Sequence, residues 1–140
     1  MILGWGISSD GAGGLTRPTV VGQRIALERA YRSAGFGAGS VPLFEAHGTG
    51  TAVGDPVEIA AIAQARRAAG NEVPAIVGSI KANIGHTRAV AGLAGLIKTA
   101  LELEHRVLLA ATACGRVRPE VGRQEDAIRV AEESRVWPEA

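Results

Sequence analysis

Two stretches of the sequence share one order of elements: an apolar run, a turn, and a histidine close to a helical pattern. The first stretch is VPLFEAHGTGT at residues 41–51, continued by GDPVE at 54–58, and the second is PAIVGSIKANIGH at 74–86. Apolar runs that are bounded by turn residues and followed by helix-length patterns are typical of a layered α/β domain. We therefore predict that His47 and His86 lie at or near two strand-to-helix junctions.

The rest of the chain continues this alternation. A cap at Thr16 or Thr19 and the glycine at Gly35 bound the first helical pattern, and Asp55 is the predicted cap of the second. The third pattern, over 85–104, is apolar on almost every face, which predicts a helix that is buried on most sides or lies in a subunit interface. The predicted strands span 2–7, 41–46, 74–79, 107–113 and 128–136, and the predicted helices span 19–34, 56–69 and 85–104.

Composition excludes several classes of function. The chain has 140 residues, enough for one domain, and a formal net charge of +1 with acids and bases interspersed, which argues against a nucleic-acid surface. No apolar run is long enough to span a membrane, and no signal peptide is recognisable. The single cysteine, Cys114, allows no internal disulfide. We expect a cytoplasmic protein that binds neither nucleic acid nor membrane.

His86 is the sharper of the two histidine signals. At the start of a helix the dipole and the N–H groups without partners oppose a positive charge, so a neutral imidazole that can donate one hydrogen bond is favoured. Lys81, flanked by apolar residues just after a strand, is a candidate for a partly buried and paired lysine. A histidine at a strand end, such as His47, is more often a structural residue, so the local pattern alone leaves its role open.

Several segments together resemble the β-ketoacyl synthases, and most closely the ketosynthase domains of polyketide synthases. HGTGT at 47–51 and KANIGH at 81–86 are similar to the two histidine motifs of that family. The similarity covers essentially the whole chain, through the further segments GWGISSDG at 4–11, GDPVE at 54–58 and AGLAGLIK at 91–98.

The resemblance implies a thiolase-like fold of two similar βαβ halves. Residues 1–40 are then expected to be the end of the N-terminal half and residues 41–140 the core of the C-terminal half, within a single partial ketosynthase domain. The implied enzyme is an acyltransferase of polyketide or fatty acid biosynthesis. It joins an acyl chain, held as a cysteine thioester, to a malonyl unit by decarboxylative Claisen condensation.

By the same resemblance, His47, His86 and Lys81 are the expected catalytic residues. The two neutral imidazoles would donate hydrogen bonds to the developing enolate oxygen, and Lys81 would organise the site as a fixed positive charge. We expect the two histidine side chains to lie close together and to face one cleft. His86 is expected in the first turn of a long buried helix.

Roles for the surrounding residues follow from the resemblance too. Thr49 and Thr51 are expected to hydrogen-bond the phosphopantetheine arm of an acyl carrier protein, which carries the malonyl unit and is the expected partner. Asp55, Glu58 and Asn83 are expected to support the site through turn and helix capping. No cofactor is expected to be tightly bound.

The sequence departs from the family in one respect. The nucleophilic cysteine of the family lies upstream, in a Cys-Ser-Ser turn that this sequence does not contain, and Cys114 matches a position that is not the nucleophile. We therefore expect the chain alone to be inactive, as a fragment, a truncated reading frame or one part of a split enzyme. Its expected partner is a second copy, giving a homodimer, or the missing N-terminal ketosynthase half.

Two alternatives stay open. One is a non-catalytic module that dimerises or docks a carrier protein. The other is a metal site built from His47, His86, His105 and Cys114. The spacings of these four residues match no standard zinc pattern, and His105 next to Arg106 is typical of a solvated helix end, so no metal is expected.

Overall fold

The structure is a computed structural model that describes residues 1–11, 17–111 and 117–137. Cys114 and the candidate cap Thr16 lie outside the described residues. Two short 3₁₀ turns, Ala38–Ser40 and Arg88–Val90, join the longer elements. In chain order the elements are α1 (Val20–Ala34), β1 (Leu43–Glu45), α2 (Gly54–Ala68), β2 (Ala75–Gly78), α3 (Lys81–Ile84), α4 (Ala91–His105), β3 (Val107–Leu108), α5 (Pro119–Gly122), β4 (Ile128–Val130) and β5 (Arg135–Val136).

Three strands form a parallel sheet in the order β1-β2-β4. Phe44 pairs with Val77, and Val77 pairs with Val130, so the carboxyl ends of the strands lie at one edge. The ladder continues one residue beyond β1, because the N–H of Ala46 donates to the carbonyl oxygen of Gly78 at 2.8 Å. The predicted layered α/β class is confirmed, and the segments that follow β1 and β2 meet at this edge. β3 and β5 form a separate antiparallel pair.

Two helices cover this sheet from the N-terminal part of the chain. Thr19 caps α1 by accepting the N–H of Gly22 at 3.0 Å, and Gly35 ends it with a φ of 83°, as the sequence predicts. α1 packs against α2, so the packing shows no break at residue 40, and the division into two halves stays a prediction. The large buried apolar side chains of the core come from α2, the sheet and α5: Phe44, Ile59, Ile62, Val77, Val121 and Ile128.

One arginine is buried in this core. Arg66, on α2, is 1% exposed. Its guanidinium donates to the carbonyl oxygens of Ala127 at 2.8 Å, Ala38 at 2.9 Å and Val73 at 2.7 Å, and to that of Val41. Burial lowers the pKa of Arg66, but an arginine side chain stays protonated in proteins. The guanidinium therefore ties α2 to the segments that precede β1, β2 and β4.

α4 packs differently from the expectation. Its buried positions are Ala91, Gly95, Lys98 and Glu102, which lie on one face at helical spacing. Burial on most sides is wrong for this helix, because the described residues cover only one of its faces. The other prediction for α4 was a place in a subunit interface. That prediction agrees with the large apolar side chains that α4 leaves exposed: Leu93, Leu96, Ile97, Leu101 and Leu103.

Three predicted strands differ from the structure. Residues 2–7 join no sheet among the described residues. They run along α1 instead: a Cβ built on Gly4 or Gly6 would lie 2.4 or 2.2 Å from a carbonyl oxygen of that helix. A strand needs a hydrogen-bonding neighbour, and no described strand lies beside this segment. The strand predicted over 128–136 is divided between β4 and β5, which belong to different sheets, and β3 is shorter than predicted.

Candidate active site

The first histidine lies in a turn that a carboxylate holds. Just after β1, the N–H groups of His47 and Gly48 donate to the two carboxylate oxygens of Glu58, at 2.6 and 2.9 Å. Gly48 has a φ of 43°, and a Cβ at this position would lie 2.7 Å from the Cβ of Ser79. Only glycine fits there, because the turn needs a positive φ and passes close to the loop after β2. Glu58, on α2, thus orients the backbone from which the His47 ring projects.

α2 and Arg118 hold the rest of this turn. The hydroxyl of Thr51 accepts the N–H of Gly54 at 3.0 Å, at the start of α2. The helix-capping role predicted for Asp55 is wrong, because α2 begins at Gly54, before Asp55. Asp55 lies in the first turn of α2 and accepts the N–H of Gly50 at 3.1 Å, so it supports the glycine turn. Arg118 donates to the carbonyl oxygen of Gly50 at 2.7 Å and lies 3.8 Å from the carboxylate of Asp55.

The second histidine lies outside any helix, so its predicted place in the first turn of a long helix is wrong. α3 ends at Ile84, and α4 begins only at Ala91. Between them Gly85 has φ 76° and ψ 179°, a conformation that is essentially restricted to glycine and ends the helix. Nδ1 of His86 accepts the N–H of Arg88 at 3.1 Å, and Arg88 itself has a φ of 56°.

This contact determines the tautomer of His86. A ring nitrogen that accepts a backbone hydrogen bond carries no proton, so the neutral ring bears its proton on Nε2. The sequence predicts a neutral imidazole donor at this position. The structure shows a backbone donor to Nδ1 within the turn and no helix start at this position, and the donor role of His86 stays a prediction.

The two imidazoles are neighbours. The ring centroids of His47 and His86 lie 5.3 Å apart, and the ring planes are perpendicular, at 90°. Both residues are exposed. Ser79 joins the two loops further, since its hydroxyl donates to the carbonyl oxygen of His47 at 3.4 Å. The predicted proximity of the two histidines is confirmed, and its cause is the parallel pairing of β1 with β2.

Two adjoining clefts flank the histidines. The larger has a volume of about 590 Å³, and His86, Lys81 and Thr49 are among its lining residues. The smaller, of about 540 Å³, is lined by His47, Thr49 and Thr51 among others. His86 lines the larger cleft and His47 the smaller, and the two clefts share the wall formed by Thr49, Asp55 and Glu58.

α3 carries the other two predicted site residues. Lys81 is half-buried, and its backbone N–H donates to the hydroxyl of Ser79 at 3.3 Å. Its ammonium group forms no salt bridge with any residue that the structure describes. Asn83 is exposed. The roles of Lys81 in catalysis and of Asn83 in support stay predictions.

Sequence reasoning missed a charged cluster beneath the site. Nζ of Lys98 lies 2.8 Å from Oε2 of Glu45 and 3.3 Å from Oε1 of Glu102. The side chains of Lys98, Glu45 and Glu102 are 6%, 13% and 1% exposed. A signal was present in the sequence, because Lys98 and Glu102 stand four residues apart within a mostly apolar helical pattern. The contact of Arg118 with the glycine turn was also missed.

Within residues 1–11, 17–111 and 117–137, no three His, Cys, Asp or Glu side chains are grouped so that they could hold a metal ion. Of the four residues in the alternative metal site, His105 is the exposed last residue of α4, and Cys114 lies outside these ranges. No helix in the same ranges is long and apolar enough to cross a bilayer.

Comparison with known proteins identifies the family. The model of the family described as "Beta-ketoacyl synthase, C-terminal domain" matches residues 1–114. The chain is 38% identical over 140 residues to erythronolide synthase EryA3 of Saccharopolyspora erythraea, covering 99% of this chain and 4% of that protein. It is 36% identical over 143 residues to highly reducing polyketide synthase 19 of Pyricularia oryzae, covering 95% of this chain and 5% of that protein.

Solved structures agree with this assignment. The ketosynthase from module 6 of the bacillaene synthase of Bacillus subtilis 168 matches with a TM-score of 0.92 and 32% identity, over 99% of this chain and 26% of that chain. The oxazolomycin ketosynthase domain OzmH KS7 of Streptomyces albus JA3453 matches with a TM-score of 0.90 and 30% identity, over 97% and 24% of the two chains. The predicted thiolase-like fold is confirmed, and this chain spans about a quarter of these ketosynthases. It belongs to the β-ketoacyl synthase family and corresponds to the C-terminal domain of that family.

Proposed function

We propose that this chain supplies the histidine-bearing part of a ketosynthase site, which condenses an acyl thioester with malonyl-carrier protein. The observation that carries the proposal is the pair of imidazoles, His47 and His86, whose ring centroids lie 5.3 Å apart. The hydrogen bond from the Arg88 N–H to Nδ1 of His86 supports it, because that bond leaves Nε2–H of His86 as a donor. Membership of the β-ketoacyl synthase family gives this geometry its chemical context.

In the proposed reaction, the bond between the malonyl α-carbon and its carboxylate breaks, and carbon dioxide leaves. The electron pair forms an enolate, whose oxygen charge is stabilised by preorganised N–H donors such as those of His47 and His86. The enolate carbon attacks the carbonyl carbon of the acyl thioester, a carbon–carbon bond forms and the thiolate leaves. The thioester is held by a cysteine in the upstream part of a ketosynthase domain.

The larger cleft is the proposed site of the phosphopantetheine arm. Its volume of about 590 Å³ lies in the range of small-molecule sites. Thr49 lines it and offers a hydroxyl that can donate to or accept from the amides of the arm. Thr51 lines the adjoining smaller cleft, and its oxygen already accepts the N–H of Gly54, so it would contribute to binding there through its hydroxyl proton. Lys81, on the wall of the larger cleft, would supply a fixed positive charge.

The exposed face of α4 is the proposed contact with the remainder of a ketosynthase domain. The chain spans about a quarter of the solved ketosynthases that it matches, so the larger part of such a domain is available to cover this face. Leu96 and Ile97, at its centre, are both 52% exposed, which is unusual for large aliphatic residues on a helix. An acyl carrier protein is the proposed substrate-bearing partner.

At low micromolar concentration the purified chain is expected to associate, because association removes the exposed apolar face of α4 from water. Replacing Leu96 and Ile97 together by glutamine is expected to shift its sedimentation toward the monomer, without loss of helical circular dichroism. Val73→Gln is the matched control, since Val73 is exposed on the loop before β2 and is expected to leave association unchanged. A wild-type chain that sediments as a single monomeric species would contradict the proposed contact.

The catalytic proposal is tested by complementation. The chain is mixed with the upstream segment of a ketosynthase that carries the nucleophilic cysteine, together with acyl- and malonyl-carrier protein, and β-ketoacyl product is measured by mass spectrometry. His47→Ala and His86→Ala are each expected to lower the rate of product formation by about 10²–10³-fold, since each removes one donor from the enolate oxygen. His105→Ala, at the exposed end of α4, is the control and is expected to leave the rate unchanged.

Without the complementing segment, the chain is expected to form no β-ketoacyl product. Product that the chain forms alone, and that Cys114→Ala abolishes, would show that the nucleophile lies in this chain. Binding of carrier protein without any product in the complemented mixture would favour the non-catalytic docking module. Equal rates for His86→Ala and His105→Ala would refute the role of His86 as a donor.

A further inference from the structure

We infer that Glu45 is a positioning residue, which sets the distance between the two histidine loops and is itself held by Lys98. The inference rests on the proposed function, because it concerns how His47 and His86 are brought into one arrangement. Glu45 is the last residue of β1 and stands two positions before His47. The hydrogen-bond partners shown for its carboxylate are the Ile80 N–H and Lys98 and not an imidazole, so its effect on the histidines passes through the backbone.

One carboxylate joins both loops. Oε1 of Glu45 accepts the N–H of Ile80 at 2.6 Å. Ile80 directly precedes α3, which leads to His86. The same residue is thus anchored in the strand that leads to His47 and hydrogen-bonded to the segment that leads to His86. A hydrogen bond to an ionised carboxylate is shorter and stronger than one to a neutral acceptor, so this link is stiffer than an ordinary loop contact.

The second carboxylate oxygen is fixed from α4. Oε2 of Glu45 accepts a hydrogen bond from Nζ of Lys98 at 2.8 Å. A largely buried carboxylate without a cation would be costly, and Lys98 provides that cation from within the protein. The small residue Gly95 makes room for the pair: a Cβ built there would lie 3.0 Å from Cγ of Glu45. The carboxylate is therefore confined on one side by α4 and bonded on the other to the Ile80 N–H.

The cluster allows Glu45 to be removed without stranding a charge. Lys98 also lies 3.3 Å from Oε1 of Glu102, and that oxygen accepts the N–H of Leu109 at 2.9 Å. In Glu45→Ala the cation of Lys98 keeps Glu102 as its partner. What is lost is the hydrogen bond of the Glu45 carboxylate to the Ile80 N–H, one of the links between the two histidine loops, so a positioning role can be separated from a role in charge balance.

The test is the nuclear Overhauser effect between the ring protons of His47 and His86 in the isotopically labelled chain. The wild-type chain is expected to show it, because the rings meet edge to face. Glu45→Ala is expected to weaken it clearly without abolishing it, because the pairing of β1 with β2 and the contact of Ser79 with His47 remain. Glu45→Gln is expected to retain it, because an amide oxygen can still accept the N–H of Ile80. The spectra are recorded with Leu96 and Ile97 replaced by glutamine, which reduces association.

Two further variants keep the test falsifiable. Glu102→Gln is the matched control. The amide oxygen of the new side chain can accept the N–H of Leu109, and Lys98 keeps its ion pair with Glu45. The contact between the two rings is therefore expected to persist. Ile80→Pro removes the donor from the opposite side of the link, and the φ of −56° at Ile80 is compatible with proline. Ile80→Pro is expected to weaken the ring contact as Glu45→Ala does. It still tests the link between Glu45 and Ile80 if Glu45→Ala fails to fold.

An unchanged ring contact in Glu45→Ala or Ile80→Pro would overturn the inference. So would its loss in Glu102→Gln, which would indicate general loosening of the cluster, and so would its absence from the wild-type chain. The measurement needs neither substrate nor a complementing segment. A failure of the condensation assay with a normal response of the ring contact would therefore count against the proposed function and not against the positioning role.

Discussion

Arg66→Met is expected to remove most of the stability of this chain. The guanidinium of Arg66 donates hydrogen bonds to four backbone carbonyl oxygens, which lie on three segments that precede strands of the sheet. Each buried acceptor that loses its donor costs about 1–3 kcal/mol, so the free energy of unfolding is expected to fall by about 4 kcal/mol or more. Domains of ordinary size are stable by only about 5–15 kcal/mol, so a substantial unfolded fraction is expected.

The measurement is urea denaturation followed by circular dichroism, with the midpoint and slope compared between variants. Arg67→Met is the matched control, because Arg67 is the next residue on α2 but pairs with Asp126 at the surface, where ion pairs contribute little. Arg66→Lys is expected to recover only part of the loss, since one ammonium group cannot reach carbonyl oxygens on three segments. If Arg66→Met unfolds at the same urea concentration as Arg67→Met, the guanidinium does not hold these segments.

Lys98→Met is expected to have the second large effect. It leaves the carboxylates of Glu45 and Glu102 buried without a cation, and breaking a buried ion pair by removing one partner costs about 3–5 kcal/mol. A simultaneous Glu102→Gln change is expected to restore part of this loss, because it removes one of the two stranded charges. The expected order of unfolding midpoints is therefore wild type, then the double variant, then Lys98→Met.

Lys81→Met is the control for this experiment. Lys81 is the other lysine of the chain, it is half-buried, and it has no salt bridge with a described residue, so its replacement strands no carboxylate. A midpoint of Lys98→Met that matches that of Lys81→Met would show that water or protonation compensates the carboxylates of Glu45 and Glu102. The buried cluster would then contribute little to the fold.

Local features of the sequence predicted the elements that local interactions form. The helical spacing over 19–34, the cap at Thr19 and the left-handed end at Gly35 are all present in α1. The sequence-based predictions failed where the hydrophobic pattern favoured a helix but the backbone conformation of individual residues interrupted it. The apolar pattern over 85–104 predicted one helix, but Gly85 and Arg88 adopt positive φ values, and α4 starts later. His86 consequently lies in a turn.

The sequence by itself determined the family, the α/β class and the identity of the two histidine loops, because motifs, turn residues and hydrophobic period are local properties of the chain. The family resemblance also predicted that His47 and His86 meet, and only the tertiary structure decided how they meet and which face of α4 is buried. The parallel pairing of β1 with β2 brings His47 to His86. The packing of α4 buries Lys98 and Glu102 while it exposes leucines on the opposite face. Apolar periodicity cannot predict that choice, because the buried face depends on which partner groups the rest of the fold presents, here the carboxylate of Glu45 to Lys98 and the N–H of Leu109 to Glu102.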